Sequence, residues 1–341
     1  MSDIIKVNAT EMAKCISTCW ANGLVPMLHG SPGLGKSSII HQLAEKYKLK
    51  LIDIRLSQCD PVDLSGFPMM GETGRGVYAP MEMFPLEGDP IPEGYRGWVI
   101  SFDEINTAAA AIQAASYKVI LDKMVGQKKL HSKVFMAAAG NLMTDAAIVN
   151  RLSTAMQSRL IHFELQMEHK PWSIWASQNQ LSPKVIGYIN ANPQMLHQFD
   201  PMHNDKTFPC PRTWHFAAKI IANNNHPELL LALLSGTVGK GAAVSFLTYD
   251  EVYKEIPQFD DILQAPETIT ISKEPAALAA LSSIVGANMT LGNAAKLMHW
   301  VMRLGIEFQT FCMRDAVHRT PGLYKTKEVE QWAIANAKAL V

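Results

Sequence analysis

Charge is what this 341-residue chain has least of. Charged residues make up 18%, against roughly a quarter in ordinary soluble domains. The 31 basic and 31 acidic side chains cancel to a formal net charge of +0, so no global basic footprint points to nucleic acid. Such a thin charge cover suggests surface buried against other subunits. Long apolar runs are also missing. None approaches 18 uninterrupted residues, which excludes a membrane-spanning helix. The opening Met1-Ser2-Asp3-Ile4-Ile5-Lys6 has no positive region followed by an apolar stretch, so the expected compartment is the cytoplasm. The five cysteines are scattered and odd in number. Cys15 and Cys19 stand one helical turn apart with no second pair at ligand spacing, and read as a packed helical face rather than a zinc site. No internal repeat or low-complexity tract is present.

The chain does have enough length for about two domains with real cores. Its most informative stretch runs from Val25 to Ser38. An apolar run leads into Gly30-Ser31-Pro32-Gly33-Leu34-Gly35-Lys36-Ser37-Ser38, and Ile39, Ile40, Leu43 and Ala44 give the helical period after it. Gly30, Gly35, Lys36 and Ser37 satisfy G-x-x-x-x-G-K-[ST], the phosphate-binding loop of nucleoside triphosphatases. Glycines let the backbone turn tightly and aim successive N–H groups at phosphate oxygens, and the helix start adds partial positive charge. The spacing assigns Lys36 to the β- and γ-phosphates and the Ser37 hydroxyl to Mg²⁺.

Before this loop, 10–22 reads as a helix with Thr10 as N-cap; after its helix, 50–56 reads as a strand. Strand, loop, helix and strand form a βαβ unit, which predicts an α/β fold with a parallel sheet flanked by helices. The next stretch, 59–97, holds seven glycines and six prolines. Structureless segments this long are either functional inserts or surface excursions, and both readings stand. Within it, 67–70 and 77–78 read as a hairpin with an exposed tip.

Trp98-Val99-Ile100-Ser101-Phe102-Asp103-Glu104 is the next buried strand, with Ser101 interrupting the apolar run. A carboxylate at the carboxyl end of a strand beside a phosphate loop suits Mg²⁺, and a following glutamate can polarise water, so Asp103 reads as metal holder and Glu104 as base. Residues 108–123 form a strong helix, and 126–129 a turn between short strands. The local basic run from Lys118 to Lys133 lacks interleaved aromatics and reads as a solvated face. Val134 to Asn141 is another buried strand. Asn141 at its end can position water against a γ-phosphate or simply cap the turn. Arg151 and Arg159 precede a last strand at 160–165. From 166 onward the pattern is helical. Ser182-Pro183 opens a helix, 209–214 reads as a rigid turn feeding a helix over 215–223, 236–241 and Pro257 interrupt the helices that follow, and the rest, including 274–314 and 326–340, is mostly helix.

In this order, the motifs over about 9–221 resemble the MoxR-type branch of the AAA+ ATPases. Gly30 to Ser37 corresponds to Walker A, Asp103-Glu104 to Walker B and Ala139-Gly140-Asn141 to sensor 1. Ser158-Arg159 stands where the family places its arginine finger, with Arg151 the competing candidate, and Pro211-Arg212 corresponds to sensor 2. The 60–66 stretch resembles the opening of this branch's helix-2 insert. Asp103-Glu104-Ile105-Asn106 is close to the usual D-E-[IL]-N-R-A form, with Thr107 in place of arginine. The resemblance implies an ATPase core over 1–165 with an insert at 59–97, a helical lid over 166–265 and a C-terminal helical extension over 266–341. It also implies ATP with Mg²⁺, a homo-oligomeric ring, commonly a hexamer, and a protein partner, often one with a von Willebrand factor A domain. Chaperone-like remodelling of a protein is the preferred role. A nucleic-acid translocase or loader, disfavoured by the neutral charge, and a nucleotide-gated scaffold are the alternatives.

Overall fold

A six-stranded parallel sheet carries the first part of the chain in a computed structural model that describes residues 4–145, 150–202 and 205–336. The chain divides into two compact units, Met1–Met167 with Asp200–Met202, and Glu168–Phe199 with His203–Val341. The first unit runs β1 (Lys6–Val7), α1 (Ala9–Ala21), β2 (Val25–His29), α2 (Lys36–Lys46), β3 (Leu49–Arg55), α3 (Pro61–Ser65), β4 (Phe67–Met70) and β5 (Gly76–Ala79). It continues with β6 (Gly97–Asp103), α4 (Ala110–Asp122), β7 (Met124–Val125), β8 (Lys128–Lys129), β9 (Val134–Gly140), α5 (Thr154–Gln157) and β10 (Leu160–Leu165).

The sheet order is β1-β10-β2-β9-β6-β3. From β2 the chain crosses to the far edge at β3, works back through β6 and β9, and then places β10 on the other side of β2. The strand order therefore reverses around β2, and in open parallel sheets ligands bind outside the carboxyl ends of strands at such a point. The central strands β2, β6 and β9 are buried on both faces, which is why they read as continuous apolar runs, whereas β3 leaves Lys50, Asp53 and Arg55 exposed. Alternate residues feed two cores. Met27, Ile100, Phe102 and Ala138 pack on one face with Val119, Ile120 and Met156. Leu28, Val99, Ala137 and Ala139 pack on the other with Met12, Ile16, Ile40 and Leu43.

Three details depart from the expectations. Helix α1 is capped by Asn8 rather than Thr10: the Asn8 side chain accepts from the N–H groups of Thr10 and Glu11 at 3.0 Å each, and Glu11 Oε2 accepts from Asn8 N at 3.0 Å. This reciprocal capping box satisfies several orphan N–H groups at once, which Thr10 could not. Strand β1, only two residues long, has no readable period. The 59–97 stretch is also more ordered than its composition suggests. Asp60 and Asp63 form a capping box around α3; β4 and β5 pair as the expected hairpin; and Phe84 is 2% exposed, inserted into the core beside Met81 and Leu86. The hairpin itself leaves Phe67, Met69, Met70 and Tyr78 exposed.

The second unit contains α6 (His169–Gln178), α7 (Pro183–Ala191), α8 (Pro211–Asn223), α9 (Leu230–Val238), α10 (Lys240–Glu255), α11 (Phe259–Gln264), α12 (Pro275–Asn288), α13 (Ala294–Val301), α14 (Ile306–Arg319) and α15 (Lys327–Ala335). Helix α12 is its centre, packed between α7 and α14. Its Ala, Ser and Gly content permits close approach: a Cβ on Gly286 would lie 2.8 Å from the Cys312 carbonyl oxygen. The buried Arg319 guanidinium ties Asp315 at 2.9 Å and the Leu181 carbonyl at 2.8 Å. The last residues of the helix expected through 340 lie outside the described residues.

Candidate active site

Beyond the carboxyl ends of β2, β6 and β9, four of the sequence-predicted residues meet in one cluster of two hydrogen-bonded pairs, Lys36 with Asn141 and Ser37 with Asp103. The loop after β2 uses left-handed backbone at Gly33 (φ 78°) and Gly35 (φ 92°). No atom lies nearer than 4.0 Å to a Cβ built on Gly35, so backbone conformation and not space demands glycine there. Gly35 is the N-cap of α2, leaving the helix's first N–H groups to the loop.

Lys36 is buried. Its ammonium donates to the carbonyl oxygens of Gly30 at 2.5 Å and Ser31 at 3.0 Å, and to Asn141 Oδ1 at 3.2 Å. A desolvated ammonium needs such acceptors. Asn141 is thus tied to the loop across the sheet. The Ser37 hydroxyl donates to Asp103 Oδ2 at 2.8 Å, so a hydroxyl and a carboxylate stand side by side at the ends of neighbouring elements.

Glu104 follows in left-handed backbone (φ 57°), a conformation uncommon outside glycine. Its carbonyl oxygen accepts from the Thr107 hydroxyl at 2.8 Å and the Thr107 N–H at 3.0 Å, so the threonine that replaces arginine at this position ties down the turn. The Glu104 carboxylate accepts from the Ser57 hydroxyl and lies 4.0 Å from Arg55 Nε.

Several residues joined to this cluster carried no role in the sequence. Asn106, 4% exposed, donates from Nδ2 to the Asn141 carbonyl at 2.7 Å and accepts at Oδ1 from the Asn141 N–H at 3.1 Å. One amide therefore clamps the end of β9 to the end of β6. Gly140 makes this possible, because a Cβ there would lie 2.4 Å from Asn106 Oδ1. Asp145, buried beyond β9, accepts from the Ser31 hydroxyl at 3.1 Å and the Leu142 N–H at 3.2 Å. Burial raises its carboxyl above the ordinary range, against the pull of those bonds and of Lys36. His29, the last residue of β2, is pushed down to about 4 by burial, then by His162 and Lys36.

The predicted arginines are all exposed. Arg159 is exposed and donates from Nη1 to its own Ala155 carbonyl at 3.0 Å, at the end of α5. Arg151 is also exposed. Arg212 sits in the first turn of α8 in the second unit, exposed.

Residues 26–161 match the family described as ATPase family associated with various cellular activities (AAA). That segment, less than half of the chain, holds the sheet from β2 to the start of β10, with the whole cluster inside it. Its fold is the α/β AAA+ fold, and its activity is ATP hydrolysis. Among solved structures the chain is similar to NtrX from Brucella abortus in complex with ATP, at 11% identity over 100% of this chain and 70% of that chain, with a TM-score of 0.40. It is likewise similar to the Thermotoga maritima RuvB Holliday junction branch migration motor, at 16% identity over 89% of each chain, with a TM-score of 0.37. Likenesses this distant carry no argument about role. No curated protein matches the chain.

Proposed function

We propose that this chain is the subunit of a MoxR-type ring ATPase, commonly hexameric, that remodels a protein partner in a chaperone-like manner. The observation that supports it most is the interlocked cluster of Lys36 with Asn141 and Ser37 with Asp103, set beside Glu104. Lys36 is the group that trades its carbonyl partners for the β- and γ-phosphates, assisted by the N–H groups of the loop 30–38. Ser37 and Asp103 are hard oxygen donors side by side, the kind of set that Mg²⁺ takes. The ion bound there with ATP would neutralise phosphate charge. Glu104 polarises the attacking water, and Asn141, held by Asn106, positions it. Arg159 of the next subunit and Arg212 of the lid over 166–265 stabilise charge on the γ-phosphoryl group. Bringing those two arginines in and out couples hydrolysis to movement. The resemblance points to a partner with a von Willebrand factor A domain.

Phosphate release by the full chain, with and without Glu104→Gln, tests this reading. General-base loss is expected to cut turnover about 10²–10⁴-fold while ATP binding persists. The trapped ATP state is then the bait for recovering the protein partner. Turnover unchanged by the substitution would remove Glu104 as base, and strong stimulation by DNA would favour a translocase over a remodeller of proteins.

A further inference from the structure

The phosphate loop and the Arg159 segment are joined to two strands that lie side by side, β2 and β10. In their parallel register His162 stands opposite Met27 and Glu164 opposite His29. His29 and His162 therefore share a face and meet on the diagonal. Their rings stack with centroids 5.2 Å apart at 21°, and His29 Nε2 lies 2.9 Å from His162 Nδ1. The other nitrogen of His162, Nε2, lies 2.9 Å from the Gln157 carbonyl oxygen. A carbonyl only accepts, so His162 Nε2 carries the hydrogen. In a neutral ring Nδ1 then accepts, and His29 Nε2 must donate. The hydrogen bonds run in one direction, from the residue before Gly30 to the carboxyl end of α5.

Helix α5 has four residues, too few to hold itself together. Met156 anchors it in the core, and the Ser153 hydroxyl accepts from the Met156 N–H at 3.3 Å. At its other end, the Gln157 carbonyl is held by His162 and the Ala155 carbonyl by Arg159 Nη1. The Ser158 hydroxyl also donates to Ala155 O, at 3.2 Å. Arg159 can therefore swing away without orphaning that carbonyl, while His162 keeps the end of the helix in place.

We propose that His29 and His162 form a positioning relay between the phosphate loop and the Arg159 segment, so that the nucleotide state of one subunit sets how that subunit presents Arg159 to its neighbour. This rests on the reading of Arg159 as the arginine that acts across the subunit interface. Neither histidine touches the reacting atoms; both act through Gln157 and the end of α5.

The test is turnover in mixed rings of full-length chains. His162→Phe keeps an aromatic ring for the stack and removes both hydrogen bonds. Its turnover is expected to fall about tenfold with ATP affinity within twofold of the parent, because its own loop is intact. Mixed with Glu104→Gln subunits, whose arginines are intact, it should regain turnover as Arg159→Ala does in the same mixture. His29→Phe, which breaks the chain at its other end, is carried through the same mixtures in case His162→Phe melts early, and His29→Gln, which retains an N–H donor, should restore most of the rate. A fall in turnover that mixing does not restore would place the damage in the subunit's own loop and overturn the relay. Unchanged turnover in both phenylalanine variants, with Arg159→Ala still impaired, would overturn the relay alone. An Arg159→Ala chain with full turnover would overturn the reading beneath it.

Discussion

The phosphate loop leaves the carboxyl end of β2 and the Arg159 segment enters the amino end of neighbouring β10, and the two are built in opposite ways. The loop is partly buried and tied at several points: Lys36 donates to at least three oxygens, Ser31 is held by Asp145, and Gly33 and Gly35 supply left-handed backbone. The arginine segment is exposed, and Arg159 rests on a carbonyl that has a second partner waiting. On the proposed function, the difference separates two duties. A group that must neutralise charge on its own subunit's ligand gains from being fixed in advance. A group that must reach outside its subunit gains from a resting place it can leave cheaply.

The comparison is broken most strongly at the fixed end. Lys36→Ala removes the only ammonium in the cluster, and nucleotide affinity should fall at least about 100-fold, read by titration with a fluorescent ATP analogue. Affinity that survived would mean that the loop amides alone hold the triphosphate. A smaller effect is expected where the fixed end is braced. Asn106→Ala leaves the N–H and carbonyl of Asn141 without their partner, which should cost about 1–3 kcal/mol of stability. It should also lower turnover more than ATP affinity, because Asn141 loses its bearing while Lys36 keeps the loop carbonyls. Equal losses in both would instead make Asn106 a plain core residue.

The smallest effect on stability at neutral pH lies between the two regions, at His29, where protonation weakens the fold only in acid. The folded chain holds its imidazole down at about 4 against an ordinary 6.5. Below pH 6.5 the unfolded chain therefore takes up a proton that the folded one refuses until about pH 4. Stability is flat above pH 6.5 and falls across that window, by no more than about 3 kcal/mol from this group. Urea melts at pH 7.5 and pH 5.0 should show the drop, and His29→Phe should shrink it. A variant that kept the full drop would assign the acid sensitivity to other groups.

Much of this was legible in the sequence for physical reasons. Strands buried on both faces appear as unbroken apolar runs, so β6 and β9 and the polar residues at their ends could be read directly. Glycine spacing exposed the loop because few other backbones make that turn. What stayed hidden depends on register. Asn106 and Asn141 are 35 positions apart, and His29 and His162 are 133; no local pattern says that two such residues face each other. The cap of α1 was misplaced because Asn8 and Thr10 are both plausible N-caps, and Glu11 decides between them only through its bond back to Asn8. In the 59–97 stretch, glycine and proline composition masked Phe84, whose burial comes from the core that it meets and not from its neighbours in sequence.

The missing side chain at Gly140 has a consequence that reaches across lineages. With only 2.4 Å between Asn106 Oδ1 and the place where a Cβ would stand, positions 140 and 106 form a lock with one tolerance. A relative that carries alanine or serine at 140 is expected to carry a shorter residue at 106, and to brace its strand-end asparagine by some other route. The pair therefore offers a signature of two co-varying columns, unrelated to phosphate binding, by which chains built on this brace can be sorted from those that share only the loop.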